Sequence, residues 1–195
     1  MTPKKIEALK TKISKIKRTL AADKRKYGCY DDSRGIRYLP VKYFIELEDY
    51  KGGLAYLRWF SKNFPDDIGF PDFLFEWTIV LFKSGRIKEA TKKAFETFYA
   101  NTYLFDQFFG KPLIQIDKWE GSNLQTISFA QTLQYSYIEP SLKDFADWLE
   151  QTILEDEFHM RCDLYIDIQR QLRTERDQER RSDLVAQIRD LVDSY

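Results

Sequence analysis

Apolar residues recur at helical spacing along most of the chain. Ile6, Leu9, Ile13, Ile16 and Leu20 follow a 3-4-3-4 rhythm with Lys and Arg between them, the pattern of a helix with one apolar stripe. It predicts a helix over residues 4–26, stopped at Tyr27-Gly28, where Gly28 suits a left-handed C-cap. Further helices are predicted over 39–47, 50–63, 71–83 and 87–102, with another starting in 103–109. Pro40 is tolerated only because it falls in a first turn, where its missing N–H costs nothing. Phe64-Pro65 ends the 50–63 run, because a residue before Pro avoids the α region. Residues 71–83 are apolar on nearly every side and are predicted to be buried.

Residues 31–35 and 110–125 are turn-rich. The second stretch is long enough to be a functional loop or a packed irregular crossover. Beyond Pro140, runs at 141–154, 155–173 and 176–193 carry the stripes Leu142/Phe145/Trp148/Leu149, Phe158/Cys162/Tyr165/Ile166/Ile168 and Leu184/Ile188/Leu191/Val192. No segment alternates apolar and polar residues for long, so the fold class is all-α. One compact domain is expected: a basic helix (1–28), a central helical block (34–109), an irregular crossover (110–139) and C-terminal helices that cap the stack (140–195). The aromatic run Phe98-Tyr99, Tyr103, Phe105 and Phe108-Phe109 reads as packing between helices.

Charge changes this picture at one end. Lys+Arg and Asp+Glu are both 31, which disfavours a uniformly basic nucleic-acid binder. Residues 1–26, however, hold ten Lys/Arg against Glu7 and Asp23, a net +8, leaving −8 for the rest. Two cysteines, Cys29 and Cys162, are too few for a disulfide scaffold and fit a reducing compartment. The N-terminus lacks the apolar core of a secretion signal; a transit peptide fits it poorly, since Lys stands where Arg and Ser are expected. The longest apolar stretch, 73–82, is half a bilayer span and contains Glu76. A soluble, cytoplasmic protein with no membrane contact is expected.

The central block repeats. Glu48-Asp49-Tyr50, Gly53, Tyr56-Leu57, Phe60 and Pro65 lie over Gly85-Arg86-Ile87, Ala90 and Ala94 when Glu48 is aligned with Gly85, a period of 37 residues. The turn residue needs φ > 0, and a small residue is needed where paired helices cross closely. These features resemble the tetratricopeptide repeat: a G-D-Y turn, a small residue three positions after the Tyr, bulky residues late in the second helix, and a closing Pro. Glu48 departs from it by replacing the turn glycine, Pro40 stands where a Leu is usual, and three extra residues separate the pairs. As a whole the chain is similar to small bacterial proteins of this repeat class.

The resemblance implies a concave face lined by the first helix of each pair. It would present Tyr38, Lys42, Ile45 and Glu46 from the first, and Asp72, Phe75, Ile79, Phe82 and Lys83 from the second. Such an aromatic-aliphatic strip suits a peptide or helix of another protein, unless the C-terminal helices fill it. The expected role is a non-catalytic protein-protein interaction module or scaffold. The alternative is a nucleic-acid-associated protein using Lys10, Lys12, Lys17, Arg18, Lys24 and Arg25 on the basic helix; self-association through the same strip is a third.

No phosphate-cradling glycine loop, nucleophile elbow or paired-histidine metal motif occurs. His159 and Cys162 share a helix face but lack the further ligands that zinc requires. Glu155, Asp156 and Glu157 sit where a helix N-terminus favours negative charge. No enzyme activity, cofactor or metal is expected.

Overall fold

The computed structural model describes residues 1–30 and 33–194. The Asp31-Asp32 part of the first predicted turn and Tyr195 lie outside the described residues. Among the described residues every regular element is a helix and there is no strand.

Helix α1 (Pro3–Tyr27) begins at Thr2, whose side chain accepts from the Lys5 amide, and has Pro at its first position. It ends at Gly28, at φ 76°, whose N–H returns to the Lys24 carbonyl. Leu9, Ile13 and Leu20 are its buried stripe, and it packs on α2 (Leu39–Glu46). Pro40 lies in the first turn of α2.

Two helix hairpins follow. Helix α2 pairs with α3 (Tyr50–Asn63), and α4 (Pro71–Lys83) with α5 (Ile87–Ala100). Their turns share one geometry. Glu48 at φ 54° and Gly85 at φ 71° each stand two residues before the second helix of their pair. Gly53 and Ala90, each five residues further on, are both buried. A Cβ on Gly53 would meet Phe44 Cβ and both Val80 γ-methyls at 3.3 Å, so helices α2, α3 and α4 approach as closely as that glycine allows. At the α4–α5 contact Ala90 and Ala94 are sealed off, and the Thr78 and Thr97 hydroxyls lie 3.2 Å apart.

Helix α5 stops two residues before the predicted end. Asn101 is extended, and its side-chain amide donates to the carbonyls of Leu124 and Thr126 at 2.7 and 3.0 Å. Those bonds satisfy loop carbonyls that no helix would. Helix α6 (Leu104–Phe108) follows, and the predicted packing of the aromatic run holds for Tyr103, Phe105 and Phe108, all buried.

Residues 110–125 form an anchored crossover. The Ile116 amide donates to the Tyr103 hydroxyl at 3.1 Å, and the Trp119 amide to the Gln169 carbonyl at 3.0 Å. Lys118 is buried 3.3 Å from Glu120, and burial pulls its ammonium below the ordinary lysine value despite that carboxylate. A 3-10 turn at Asn123–Gln125 leads to α7 (Ile127–Ala130).

Another 3-10 turn (Pro140–Leu142) leads into α8 (Lys143–Leu154). Helices α9 (Asp156–Thr174) and α10 (Gln178–Asp193) complete the chain. Helix α8 packs on α4 and α9 on α5, so the C-terminal section lies against the central block. One core runs from Ile13 of α1 to Leu191 of α10.

Candidate functional site

The face presented by α4 divides into a closed half and an open half. Phe75 and Ile79, expected on an exposed strip, are both 0% exposed. Phe75 meets the rings of Phe108 at 5.1 Å and Phe145 at 5.6 Å, and Phe82 stacks on Trp148 at 4.8 Å. Lys83 donates to the Ser141 carbonyl at 2.7 Å and pairs with Asp144. Ile45 on α2 is buried too, and Glu46 pairs with Lys5 at 3.6 Å. The open apolar groove is thus corrected. Burying each such side chain yields roughly 1.5–3 kcal/mol, and α8 with its flanking turn supplies the cover.

The open half brings Tyr38, Lys42 and Asp72 together around a cavity of about 400 Å³, with Glu76, Phe73 and residues 132–135 completing its wall. Helix geometry puts Asp72 and Glu76, four apart on α4, on the same face. Residues 132–135 return over them from the crossover, and the Tyr135 hydroxyl donates to Glu76 Oε1 at 2.8 Å. Lys42 donates to the Gln134 side chain.

Tyr38 is fixed from the opposite side. Its hydroxyl donates to Asp67 at 2.7 Å and accepts from Arg37 Nη2 at 2.7 Å. Arg37 Nε reaches Asp67 Oδ2 at 2.6 Å. Asp67 belongs to the Phe64-Pro65 turn that ends α3, so the turn also orients the cavity's Tyr.

Burial dominates the electrostatics. Glu76 is 7% exposed, and burial, with Asp72 and Glu46 adding repulsion, pushes its carboxyl up to about 8 against the opposing Tyr135 bond and Lys42 charge. Asp72 is raised by burial as well. Burial and the Glu76 carboxyl hold the Tyr135 phenol well above its usual value. At neutral pH the cavity therefore holds a largely protonated Glu76 beside Asp72 and a tethered lysine.

Glu76 and Tyr135 are the residues that sequence reasoning missed as a site. A lone acid inside the apolar run 73–82 is a usable signal for Glu76. Tyr135 lies in irregular chain, where no periodicity marks it.

The basic residues Lys10, Lys12, Lys17, Arg18, Lys24 and Arg25 are all exposed on α1. Lys12 lies 5.3 Å from the Tyr43 ring, Lys17 5.3 Å from Phe44 and Lys24 4.5 Å from Tyr30. Three of the six thus lean on aromatic rings of the following chain. His159 faces Asp163 at 3.4 Å on the surface. Cys162 is buried, and burial, with Asp163, pushes its thiol up. Among the described residues no three His, Cys, Asp or Glu are grouped so as to hold a metal ion, and no helix is long and apolar enough to cross a membrane.

Comparison with family models, curated proteins and solved structures finds no match. The functional reading therefore stands on the geometry of this chain.

Proposed function

We propose that the protein is a non-catalytic interaction module of tetratricopeptide-like build, and that it receives a segment of a partner protein in the cleft between α2, α4 and residues 132–135. The repeat reading is supported by the matched positive-φ turns at Glu48 and Gly85 and by the buried small residues Gly53 and Ala90. The observation that carries the role is the cavity itself. Along the α2/α4 face, Phe75, Ile79 and Phe82 pack against other parts of the chain, whereas Tyr38, Lys42 and Asp72 stay grouped around about 400 Å³ of space. A concave site that sets aromatic walls beside convergent charged groups, here Lys42, Asp72 and Glu76, is a common form of recognition pocket.

The test is selection of peptides from a random display library on the immobilised protein. Thr132 is exposed on the cavity wall, so Thr132→Trp plugs the cleft from its rim. Selected peptides lose at least tenfold in affinity for that variant. Enriched peptides that bind both forms equally, or no enrichment at all, overturn the reading.

A second reading, contact with nucleic acid, is favoured by one feature of α1. Lys10, Lys17 and Lys24 recur every seven residues beside Arg18 and Arg25, all exposed. Leu9, Ile13 and Leu20 anchor α1 in the fold, so charge reversal is a cleaner probe than deletion. Mobility shift at two salt concentrations gives a steep salt slope if phosphates are bound. Retention unchanged in Lys10→Glu/Arg18→Glu/Arg25→Glu removes this reading.

A further inference from the structure

We propose that the cleft between α2, α4 and residues 132–135 binds a cationic side chain, the guanidinium or ammonium end of an arginine or lysine in a partner segment, with Glu76 as the residue that receives its charge. The inference rests on the interaction reading and names what the cleft selects.

Glu76 is the first ground. It lies in the apolar run Phe73-Leu74-Phe75-Glu76-Trp77, where a carboxyl incurs a desolvation penalty that an apolar residue would not. Its Oε1 is held by Tyr135. Its Oε2 has no hydrogen-bond partner among the described residues, and it is not one of the unpartnered side-chain atoms sealed in the packing, which are Ser84 Oγ, Thr102 Oγ1 and Gln169 Oε1. Glu76 lines the cavity, so that oxygen is open to an occupant. Tyr135 sets the carboxyl's orientation while leaving its second acceptor unused, which is how a recognition group is held in advance of its ligand.

The charge around the cavity is the second ground. Asp72 stands one turn before Glu76 on α4, and Glu46 on α2 adds negative potential at both Glu76 and Tyr135. Glu139 acts on Tyr135 in the same sense. The cations of the cavity, Lys42 and Arg34, and those behind its wall have partners of their own, although the Lys42 charge also acts on Glu76. Lys42 is tethered to Gln134, Arg34 pairs with Asp23 at 2.5 Å, Arg37 with Asp67, and Lys5 with Glu46. A cation entering the cleft meets the Asp72 and Glu76 carboxyl groups beside two basic side chains that already have partners, Lys42 and Arg34.

The walls are the third ground. Tyr38, Phe70, Phe73 and Tyr135 surround the cavity, and Tyr38 lies 5.0 Å from Phe70 and 4.8 Å from Phe73. Such rings take the aliphatic stem of a long basic side chain and attract its charged end. Phe70 and Leu39, both partly exposed at the rim, are placed to meet the backbone that carries it.

A bound cation favours ionised Glu76. Because the carboxyl otherwise keeps its proton to about pH 8, binding expels a proton at neutral pH and tightens as pH rises.

The test uses Ac-Gly-Arg-Gly-NH2 and its uncharged isostere Ac-Gly-citrulline-Gly-NH2, titrated by nuclear magnetic resonance into the full chain, wild type and Glu76→Gln. The arginine probe binds at least tenfold more tightly than the citrulline probe, and more than tenfold more tightly at pH 8 than at pH 6. Glu76→Gln, which keeps an acceptor for Tyr135, loses both differences. Equal binding of the two probes to wild type overturns the proposal without reference to any variant, and so does an arginine affinity unchanged in Glu76→Gln. Library-selected peptides that need an open Thr132 rim but ignore Glu76→Gln remove the cation assignment while leaving the cleft as the interaction site. Selected peptides that bind elsewhere remove the interaction reading and the proposal with it.

Discussion

Phe82 and Trp148 stack with ring centroids 4.8 Å apart and planes 26° from parallel. The pair joins the last turn of α4 to the second turn of α8. Beside it Lys83 holds Ser141 and Asp144 at the start of α8. Together these contacts seat the C-terminal section on a face that a free-standing hairpin pair would leave to solvent.

Phe145 should be the most costly truncation at that seam. It is sealed off and meets Phe75, Phe82, Phe108 and Trp148. Phe145→Ala should lower stability by about 3–5 kcal/mol in urea unfolding. A loss under about 1 kcal/mol would mean that α8 is not seated on α4.

Glu48 occupies left-handed backbone at φ 54° without the freedom of glycine. That conformation costs an ordinary residue roughly 1–2 kcal/mol, so Glu48→Gly should raise stability by about 1 kcal/mol. The matching experiment is Gly85→Ala. A Cβ there meets nothing within 4 Å, so its expected loss of about 1 kcal/mol comes from φ 71° alone. If neither midpoint moves in denaturant titration, the shared turn geometry is wrong.

Asp67 collects Arg37, Tyr38 and the Gly69 amide. Arg37 is itself buried, so Asp67→Ala removes the carboxylate its Nε reaches together with the acceptor of Tyr38 and the Gly69 amide. A loss of about 2–3 kcal/mol is expected from these charge-assisted bonds, with the Tyr38 wall of the cavity loosened. Calorimetry showing Tm within about 1 °C of wild type, against the several degrees such a loss implies, would contradict this arrangement.

Glu76 gives stability an unusual pH dependence. The folded carboxyl keeps its proton to about pH 8, whereas the unfolded chain releases it near 4.5. Between those values the folded state binds more protons, so this group's contribution falls as pH rises, by at most about 1.4 kcal/mol per unit. It is level below and above that window. Glu76→Gln should therefore match wild type near pH 4.5 and exceed it increasingly toward pH 8. Parallel Tm profiles for the two proteins across pH 5–8 would refute the buried, proton-holding carboxyl.

The helices were legible because their causes are local. Thr2 and Gly28 bound α1, Asp49 caps α3 by accepting from the Gly52 amide, and Pro65 and Pro71 bracket a connection that cannot continue a helix. The two hairpins were visible for the same reason, since the turn at Glu48 and its counterpart at Gly85 lie within a few residues of the helices they join. Gly53 was legible as a close contact, though not that Phe44 and Val80 would be its neighbours.

Of the candidate site, Tyr38, Lys42 and Asp72 were named from the repeat pattern, while Phe75 and Ile79 were placed on the wrong side of the solvent boundary. Periodicity says which face of a helix is apolar and says nothing of which element covers it. The bond from Tyr135 to Glu76 spans 59 positions and that from Lys83 to Asp144 spans 61. The amino-acid sequence alone determined the longer helices, their ends to within about two residues, and the basic character of α1, all set by interactions within a few turns; the short helix α7 inside the crossover was not among them. Only the tertiary structure decided that α8 closes half of the α4 face and that residues 132–135 wall a cavity on the other half. Those outcomes depend on where distant segments find buried surface, and each contact is weak until the whole core has assembled around it.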